Sequence, residues 1–308
     1  MIQVYPDYYE RFSCIKGNCK HNCCIGWEID IDEDTAALYK SCTGDFGERL
    51  KANIDFSAEV PHFILAKDER CPFLNKDNLC DIIIHRGENS LCAICSEHPR
   101  FHNELPDRVE SGLGLCCEEA ARIILTNKEK VKLTGNCDCD DEIINLRNKI
   151  LSIIQDRSLS IKKRVDEILI LCGISLPCYS LSEWADIFLS LERLDEKWTD
   201  MLYILKAYGD TAVPRIFDEH MKDRQTEYEQ LLHYLVYRHL ANAPDLYEAG
   251  LRAGFAVICY KLVYHIGTAL WDKNKKFTTE DQIELCRMLS AEIEYSDENL
   301  YILLEELE

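Results

Sequence analysis

The sequence predicts a mainly α protein in two parts. The first is a cysteine-rich metal-binding unit with short helices and little strand, residues 1–139; the second is an α-helical domain, residues 140–308. Three observations carry this. Thirteen of the 17 cysteines fall between Cys14 and Cys139, leaving Cys172, Cys178, Cys259 and Cys286 for the rest. The first part is broken by scattered glycines and by Pro61, Pro72, Pro99 and Pro106, so its periodic stretches are short. From Asp140 onward the apolar residues recur at the 3.6-residue helical period, and strand-type alternation is nearly absent.

With 308 residues, the chain has length for a real core and for about two domains. Its apolar fraction of 47% and charged fraction of 29% are ordinary for a globular protein. A net charge of −20 argues against a protein that tracks nucleic-acid phosphates, which requires Lys and Arg. It suits a cationic substrate such as lysine side chains, or simply a well-solvated surface. The start, Met1–Phe12, has neither a basic n-region nor an apolar h-region and does not read as a signal peptide. No run reads as a spanning helix of roughly 18 apolar residues. A cytoplasmic chain is therefore expected, without a membrane partner, where clustered cysteines bind metal more often than they pair as disulfides.

Along the first part, Trp27–Ile31 alternates apolar and polar residues and predicts one short half-buried strand. Asp32 then caps a helix through about Tyr39. Cys71-Pro72-Phe73-Leu74 enters a turn over Asn75–Asn78. Cys80–Arg86 predicts a short helix ending at Gly87, where a left-handed residue is wanted. Ser90–His98 predicts another, stopped by Pro99, and Glu118–Thr126 a third. In the second part, Trp184, Ile187, Phe188, Leu191, Leu194, Trp198, Leu202 and Leu205 form a single apolar stripe. Similar stripes run through 142–154, 161–172, 226–241, 245–271 and 279–293, and their aromatics read as core.

The stretch Phe12–Trp27 holds Cys14, Cys19, Cys23 and Cys24, with Gly, Asn and Lys between them and no helical or strand period. Such a segment buries too little apolar surface to order itself, so a cross-link or a bound metal is expected. Further groups are Cys71 with Cys80, Cys92 with Cys95, and Cys116 with Cys117; Cys137 and Cys139 form a possible fifth. Thiolates suit zinc, cuprous copper or iron–sulfur. Only Cys92-x2-Cys95 has zinc-knuckle spacing. The adjacent pairs do not, two-cluster ferredoxin spacings do not match, and the radical-initiating C-x3-C-x2-C fails because position 26 is Gly. The four late cysteines read as buried apolar thiols.

Several motifs together resemble the flagellin lysine-N-methylase family, part of a group of zinc- or iron-chelating proteins rich in cysteine pairs. They are Cys14-x4-Cys19-x3-Cys23-Cys24-x2-Trp27; Cys71-Pro72-Phe73-Leu74 with Leu79-Cys80; Leu91–Cys95 with Pro99-Arg100; and Cys117-Glu118-Glu119-Ala120-Ala121-Arg122. The likeness covers about residues 5–126, and the helical remainder only in general character. It implies a metal set of Cys14, Cys19, Cys23, Cys24, Cys71, Cys80, Cys95 and Cys117, with Cys92 and Cys116 as extra thiols. It also implies an iron–sulfur cluster, most simply 4Fe–4S with zinc as the alternative, and methyl transfer from S-adenosylmethionine to flagellin lysines. The chain departs from the family's Tyr-Pro-Arg with His98-Pro99-Arg100, which removes an aromatic hydroxyl, and from its Cys-Pro-Glu with Cys117-Glu118-Glu119.

A lysine ε-amine must be neutral to attack a methyl sulfonium, so a site has to desolvate it or offer a base. Candidates for polar work are Trp27, Arg100 and Glu119. Each has a plainer reading: a core aromatic covering the metal, an ion pair with Glu97 or Glu104, and a solvated helix face. His21, His85 and His98 are possible ligands that read equally as ordinary surface or core histidines. Gly112-Leu113-Gly114 lacks the dinucleotide-binding G-x-G-x-x-G form, so the methyl donor has no recognisable cradle. The same cysteines without such a cradle also fit a non-catalytic protein that stores, senses or delivers iron or zinc, or a scaffold braced by zinc.

Overall fold

The computed structural model describes residues 1–135, 140–209 and 215–308. Cys137 and Cys139 lie outside the described residues. In chain order the helices are α1 (Glu33–Ser41), α2 (Gly44–Ala52), α3 (Asp81–Arg86), α4 (Ala93–Glu97), α5 (Glu118–Leu125), α6 (Glu142–Ile154) and α7 (Ile161–Cys172). They continue as α8 (Leu181–Ser190), α9 (Glu196–Tyr208), α10 (Arg215–His220), α11 (Gln225–His239), α12 (Leu246–Asn274), α13 (Thr279–Leu289) and α14 (Asp297–Glu305). The strands are β1 (Ile2–Pro6), β2 (Ile54–Asp55), β3 (His62–Phe63), β4 (Arg100–Glu104), β5 (Arg108–Leu113) and β6 (Leu133–Thr134). The protein is mainly α, as its periodicity predicts.

Two compact units emerge, Ser13–Phe101 and a larger one made of Met1–Phe12 with His102–Glu308. The division by contacts thus falls at Phe101, whereas the cysteine distribution places a boundary at 139. The reason is a four-stranded sheet in the order β4-β5-β1-β6. β1 runs parallel to β5 (Ile2↔Arg108, Val4↔Glu110) and antiparallel to β6 (Tyr5↔Thr134). Helices of the second part pack on it: the Tyr237 hydroxyl donates to the carbonyls of Val4 and Ser111, both at 3.1 Å. This sheet is more strand than the sequence predicts. β5 escapes the alternation test because its inward positions are polar. Arg108 is 1% exposed and Glu110 0%, and Glu110 is neutralised by an equally buried ion pair with Arg147 of α6.

In the helical part the predicted stripes become α6, α7, α11, α12 and α13. The single stripe from Trp184 to Leu205 is instead two helices, α8 and α9. The Glu292 carboxylate accepts from the amides of Leu194 (2.8 Å) and Asp195 (2.7 Å), and Asp195 caps α9, which forces a turn between them. α12, at 29 residues, is long and apolar enough to cross a membrane by composition alone, contrary to the sequence reading. Yet 72% of its apolar window is buried inside the fold, so it serves as the core helix of its unit.

In the unit Ser13–Phe101, the predicted strand at Trp27–Ile31 reduces to a single bridge, Asp30↔His62, beside the β2–β3 ribbon. Its burial alternates as expected: Ile29 and Ile31 are each 1% exposed, while Glu28 and Asp30 face outward. Asp32 caps α1 by accepting from Thr35 N at 2.9 Å, and Gly87 ends α3 at φ 86°. α4 is shorter than predicted because Glu88–Ser90 form a 3₁₀ turn and Cys92 takes the N-cap. The core is Ile29, Ile31, Tyr39, Leu50, Ile54, Phe63, Phe73 and Ile82, joined by Cys42, Cys71 and Cys92.

Candidate metal centre

The thiols of this small unit gather because two backbone pairings and two side chains bring their segments together. The amide of Cys71 donates to the carbonyl of Cys24 at 2.8 Å, tying the first cysteine run to the Cys71–Pro72 turn. The bridge Leu74↔Cys80, with Asp81 N donating to Phe73 O at 2.8 Å, closes that turn back onto the start of α3. Arg49 from α2 pins both ends: it donates to Asp81 Oδ2 at 2.7 Å and to the Pro72 carbonyl at 2.8 Å. Asp32 then caps a second helix, its Oδ2 accepting from Ala93 N at 2.8 Å, which seats Cys92 at the head of α4. Cys24, Cys80 and Cys95 pack, partly buried, against the core that contains Cys71 and Cys92.

The electrostatics record the same proximity. Cys24 is pushed well above the ordinary thiol range, first because it donates to the Cys23 thiolate, then by burial, then by the charges of Cys23, Cys71 and Cys80. Its partner Cys23, exposed, falls to about 7 as the acceptor in that pair. Cys95 and Cys92 repeat the arrangement: Cys95, the donor, is raised, with Cys24 and Cys71 adding to it, and Cys92 is lowered. Burial lifts Cys71 to about 11, opposed by the amides of Phe73 and Leu74. Burial also raises Cys80; the open amides of Ile82 and Ile83 oppose it without closing a capping hydrogen bond. Each pair yields one proton easily and holds the second. Further thiolates at this spacing repel one another, and a bound cation is the natural complement.

The donor type fits a thiophilic metal. Among the described residues, however, no three sulfurs lie within 4.8 Å of one another. Tetrahedral zinc would hold its thiolates only about 3.8 Å apart, given zinc–sulfur bonds of ~2.3 Å. A cluster whose thiolates sit on separate irons needs a wider spacing. The group that does converge within 4.8 Å is Glu28, Asp30 and His62, hard donors of which both carboxylates are exposed. His62 Nε2 lies 3.6 Å from Glu28 Oε2 there.

Other predicted positions are placed as follows. Cys14 is exposed, with Sγ accepting from Lys16 N at 3.4 Å, and the Cys19 thiol donates to the His21 carbonyl at 3.0 Å. Cys117 belongs to the larger unit, where it occupies the N-cap of α5. Its neighbour Cys116 donates to the Tyr295 hydroxyl at 3.0 Å, and burial pushes it up to about 11. Tyr295 follows a π-turn, Ser290–Glu294, whose buried Glu294 accepts from Tyr234 (2.8 Å) and pairs with His239 (2.6 Å). Of the late cysteines, Cys259 and Cys286 are fully buried as expected, but Cys178 is exposed.

Trp27 is not a core aromatic. It is 39% exposed, donates Nε1–H to the Cys23 carbonyl at 2.6 Å, and lies 6.2 Å from the His98 ring. Burial lowers the His98 pKa. His85 stacks on Phe46 at 4.5 Å, and Arg100 is half-buried at the start of β4. Glu119 is not on a solvated face either: it is 9% exposed and holds Arg122 through two hydrogen bonds of 2.5 and 2.7 Å. Sequence reasoning set Cys92 aside, although its C-x2-C spacing to Cys95 was the visible signal. It had no signal for Arg49 and no reason to give Asp32 a second helix.

Residues 178–308 match the family profile of the FliB lysine N-methylase C-terminal domain. Over that span the chain is similar to lysine N-methylases. It is 29% identical over 137 residues to the Lysine-N-methylase of Salmonella typhimurium, covering 42% of this chain and 34% of that protein. The corresponding Lysine-N-methylase of Salmonella choleraesuis is 28% identical over the same length. The Flagellar biosynthetic protein FliU of Salmonella muenchen is 29% identical over 136 residues, 79% of its length. The match thus spans about a third of the two lysine N-methylases. No solved structure matches. The matched domain, residues 178–308, lies outside residues 5–126, where the cysteine motifs are.

Proposed function

We propose that this chain is a cytoplasmic protein lysine N-methyltransferase that moves methyl groups from S-adenosylmethionine to flagellin lysine ε-amines and carries a thiolate-bound iron–sulfur cluster, 4Fe–4S. The observation that carries the activity is the match of residues 178–308 to a lysine N-methylase domain, joined by relatives named for lysine methylation and flagellar biosynthesis. The gathered thiols of the small unit support a thiophilic metal, and the cluster itself is carried by the family resemblance.

When bound, S-adenosylmethionine supplies the electrophilic methyl. The chain would have to present the ε-amine neutral, by desolvation or through a base. Cys24, Cys71, Cys80 and Cys95 would hold the cluster, with the amides of Phe73 and Leu74 directed at Cys71. The larger unit has an open surface depression where Asp141 and Asp245, which cap α6 and α12, lie beside Glu142, Pro244, Leu246 and Tyr247. The small unit's metal must bind thiolates, which fits a reducing cytosol.

Flagellin incubated with the protein and S-adenosylmethionine is expected to gain mass in methyl increments, about 14 Da each. Unmodified flagellin would remove the activity. Protein purified without oxygen is expected to contain iron and acid-labile sulfide. Colourless protein with stoichiometric zinc would replace the cluster by a zinc brace, and metal-loaded protein that does not bind S-adenosylmethionine would favour the storage or sensing alternative.

A further inference from the structure

Cys92 stands apart from the cysteines whose burial has an ordinary explanation. Cys42 is the matched comparison. It is 5% exposed, lies in the same core, and its thiol donates to the Leu38 carbonyl one turn back in its own helix at 3.3 Å. That is how a structural thiol is satisfied. Cys92 is 0% exposed in the same core, but it occupies the N-cap of α4 and makes no capping hydrogen bond. The role of a second cap is filled by Asp32, whose carboxylate takes the Ala93 amide.

Helix geometry then aims Cys92 at a thiol. Cys95 is the third residue of α4, and side chains at the N-cap and at that position lie over one another, the relation used by a capping box. The pair forms a forked C-x2-C donor, built on an element fixed by the Asp32 carboxylate and by the Tyr39 hydroxyl, which donates to the Ser90 carbonyl at 2.6 Å. Cys71 lies in the same core, and Cys24, Cys80 and Cys95 pack against it. We infer that Cys92 is a metal-ligating thiolate of this chain, acting with Cys95 as a C-x2-C chelate for the thiophilic metal of the small unit. The inference rests on the metal reading proposed above, and it changes the ligand set that the family resemblance implies.

The test uses the full chain, purified without oxygen and reconstituted with ferrous iron and sulfide, as wild type, Cys92→Ala and Cys42→Ala. Cys42→Ala is expected to keep the wild-type iron and acid-labile sulfide content and the sulfur-to-iron charge-transfer band. Cys92→Ala, with its helical circular dichroism retained, is expected to lose at least about half of the bound iron and of the band intensity. Equal iron content and equal band intensity in the two variants would overturn the assignment. A wild type that takes up no iron or zinc would instead remove the metal reading beneath it, whatever Cys92→Ala does.

Should Cys92→Ala fail to fold, the wild type decides. A trivalent arsenical that bridges two thiols is expected to link Cys92 to Cys95 in metal-free protein, read by peptide mass, and to be blocked by bound metal. Equal bridging with and without metal would count against Cys92.

Discussion

Burial of charge sets the sharpest constraints at the level of single residues. Glu110 and Arg147 are each 0% exposed and neutralise one another between β5 and α6. Removing one partner strands the other in the interior, so Glu110→Ala is expected to cost about 3–5 kcal/mol, read by urea denaturation, whereas replacing both by apolar residues of similar size is expected to cost far less. Close by is His233, fully buried, whose pKa burial and the Arg147 charge depress to about 3. The sign follows from its neutral form being the folded one. Its stabilisation is present above the unfolded value of about 6.5 and is lost as pH falls from there toward 3, at roughly 1.4 kcal/mol per pH unit. Glu294, held near 2 by Arg238 and His239 against the opposing effect of burial, adds acid lability only below its unfolded range near 4.5. Melting temperature should therefore fall between pH 6.5 and 5, and fall less steeply in His233→Gln. An unchanged slope would mean that other groups dominate. These residues also mark a limit of legibility. A buried Glu or His looks like any polar residue in sequence when its partner lies on another element; Glu119 differs, because its partner Arg122 is three residues on in the same helix and only its burial was hidden.

At the scale of elements, what depends on local chemistry was legible and what depends on distant partners was not. Asp32 and Gly87 announced a helix start and a helix end because capping and left-handed geometry act within a few residues. The sheet was hidden because β5 turns Arg108 and Glu110 inward, and the break between α8 and α9 because Glu292, some hundred residues on, supplies it. The thiol segments were legible as cysteines, but the elements that place them were not. Arg49 is the clearest case: from α2 it holds the Pro72 carbonyl and Asp81, and Phe46 and Phe73 lie against its guanidinium at 5.9 and 5.4 Å. Arg49→Ala is expected to lower stability by about 1–3 kcal/mol, the cost of leaving these half-buried acceptors unpaired, and to weaken metal binding by loosening the Cys71 turn. Lysine should not rescue it, because one ammonium cannot span both acceptors. Restored metal affinity in Arg49→Lys would show that charge alone matters there. A second element-scale constraint is Gly47 in α2. A Cβ there would meet the Cys42 carbonyl oxygen at 2.5 Å, so alanine, ordinarily the better helix former, should lower the melting temperature.

At the scale of the whole molecule, the two units have different sources of stability. The larger one is built around α11 and α12, whose side chains are buried along most of their length. The unit Ser13–Phe101 has short helices and two-residue strands, and thiols occupy part of its core. Thiols that must lose their protons side by side to bind a metal stabilise such a core only when the cation is present, because the free energy of ligation becomes free energy of folding. Metal removal should therefore act unequally along the chain. After anaerobic chelation, amide hydrogen exchange is expected to accelerate across residues 13–101, most at the segments carrying Cys24, Cys71, Cys80 and Cys92. The helices α11 and α12 should keep their protection, since opening free energies are local to cooperative units. The same samples should show a metal-dependent melting transition beside a metal-independent one. Exchange that rises equally in α11 and α12 would mean that the metal stabilises the chain as one cooperative body, and exchange that does not rise within 13–101 would mean that the thiols pack there as apolar side chains and nothing more.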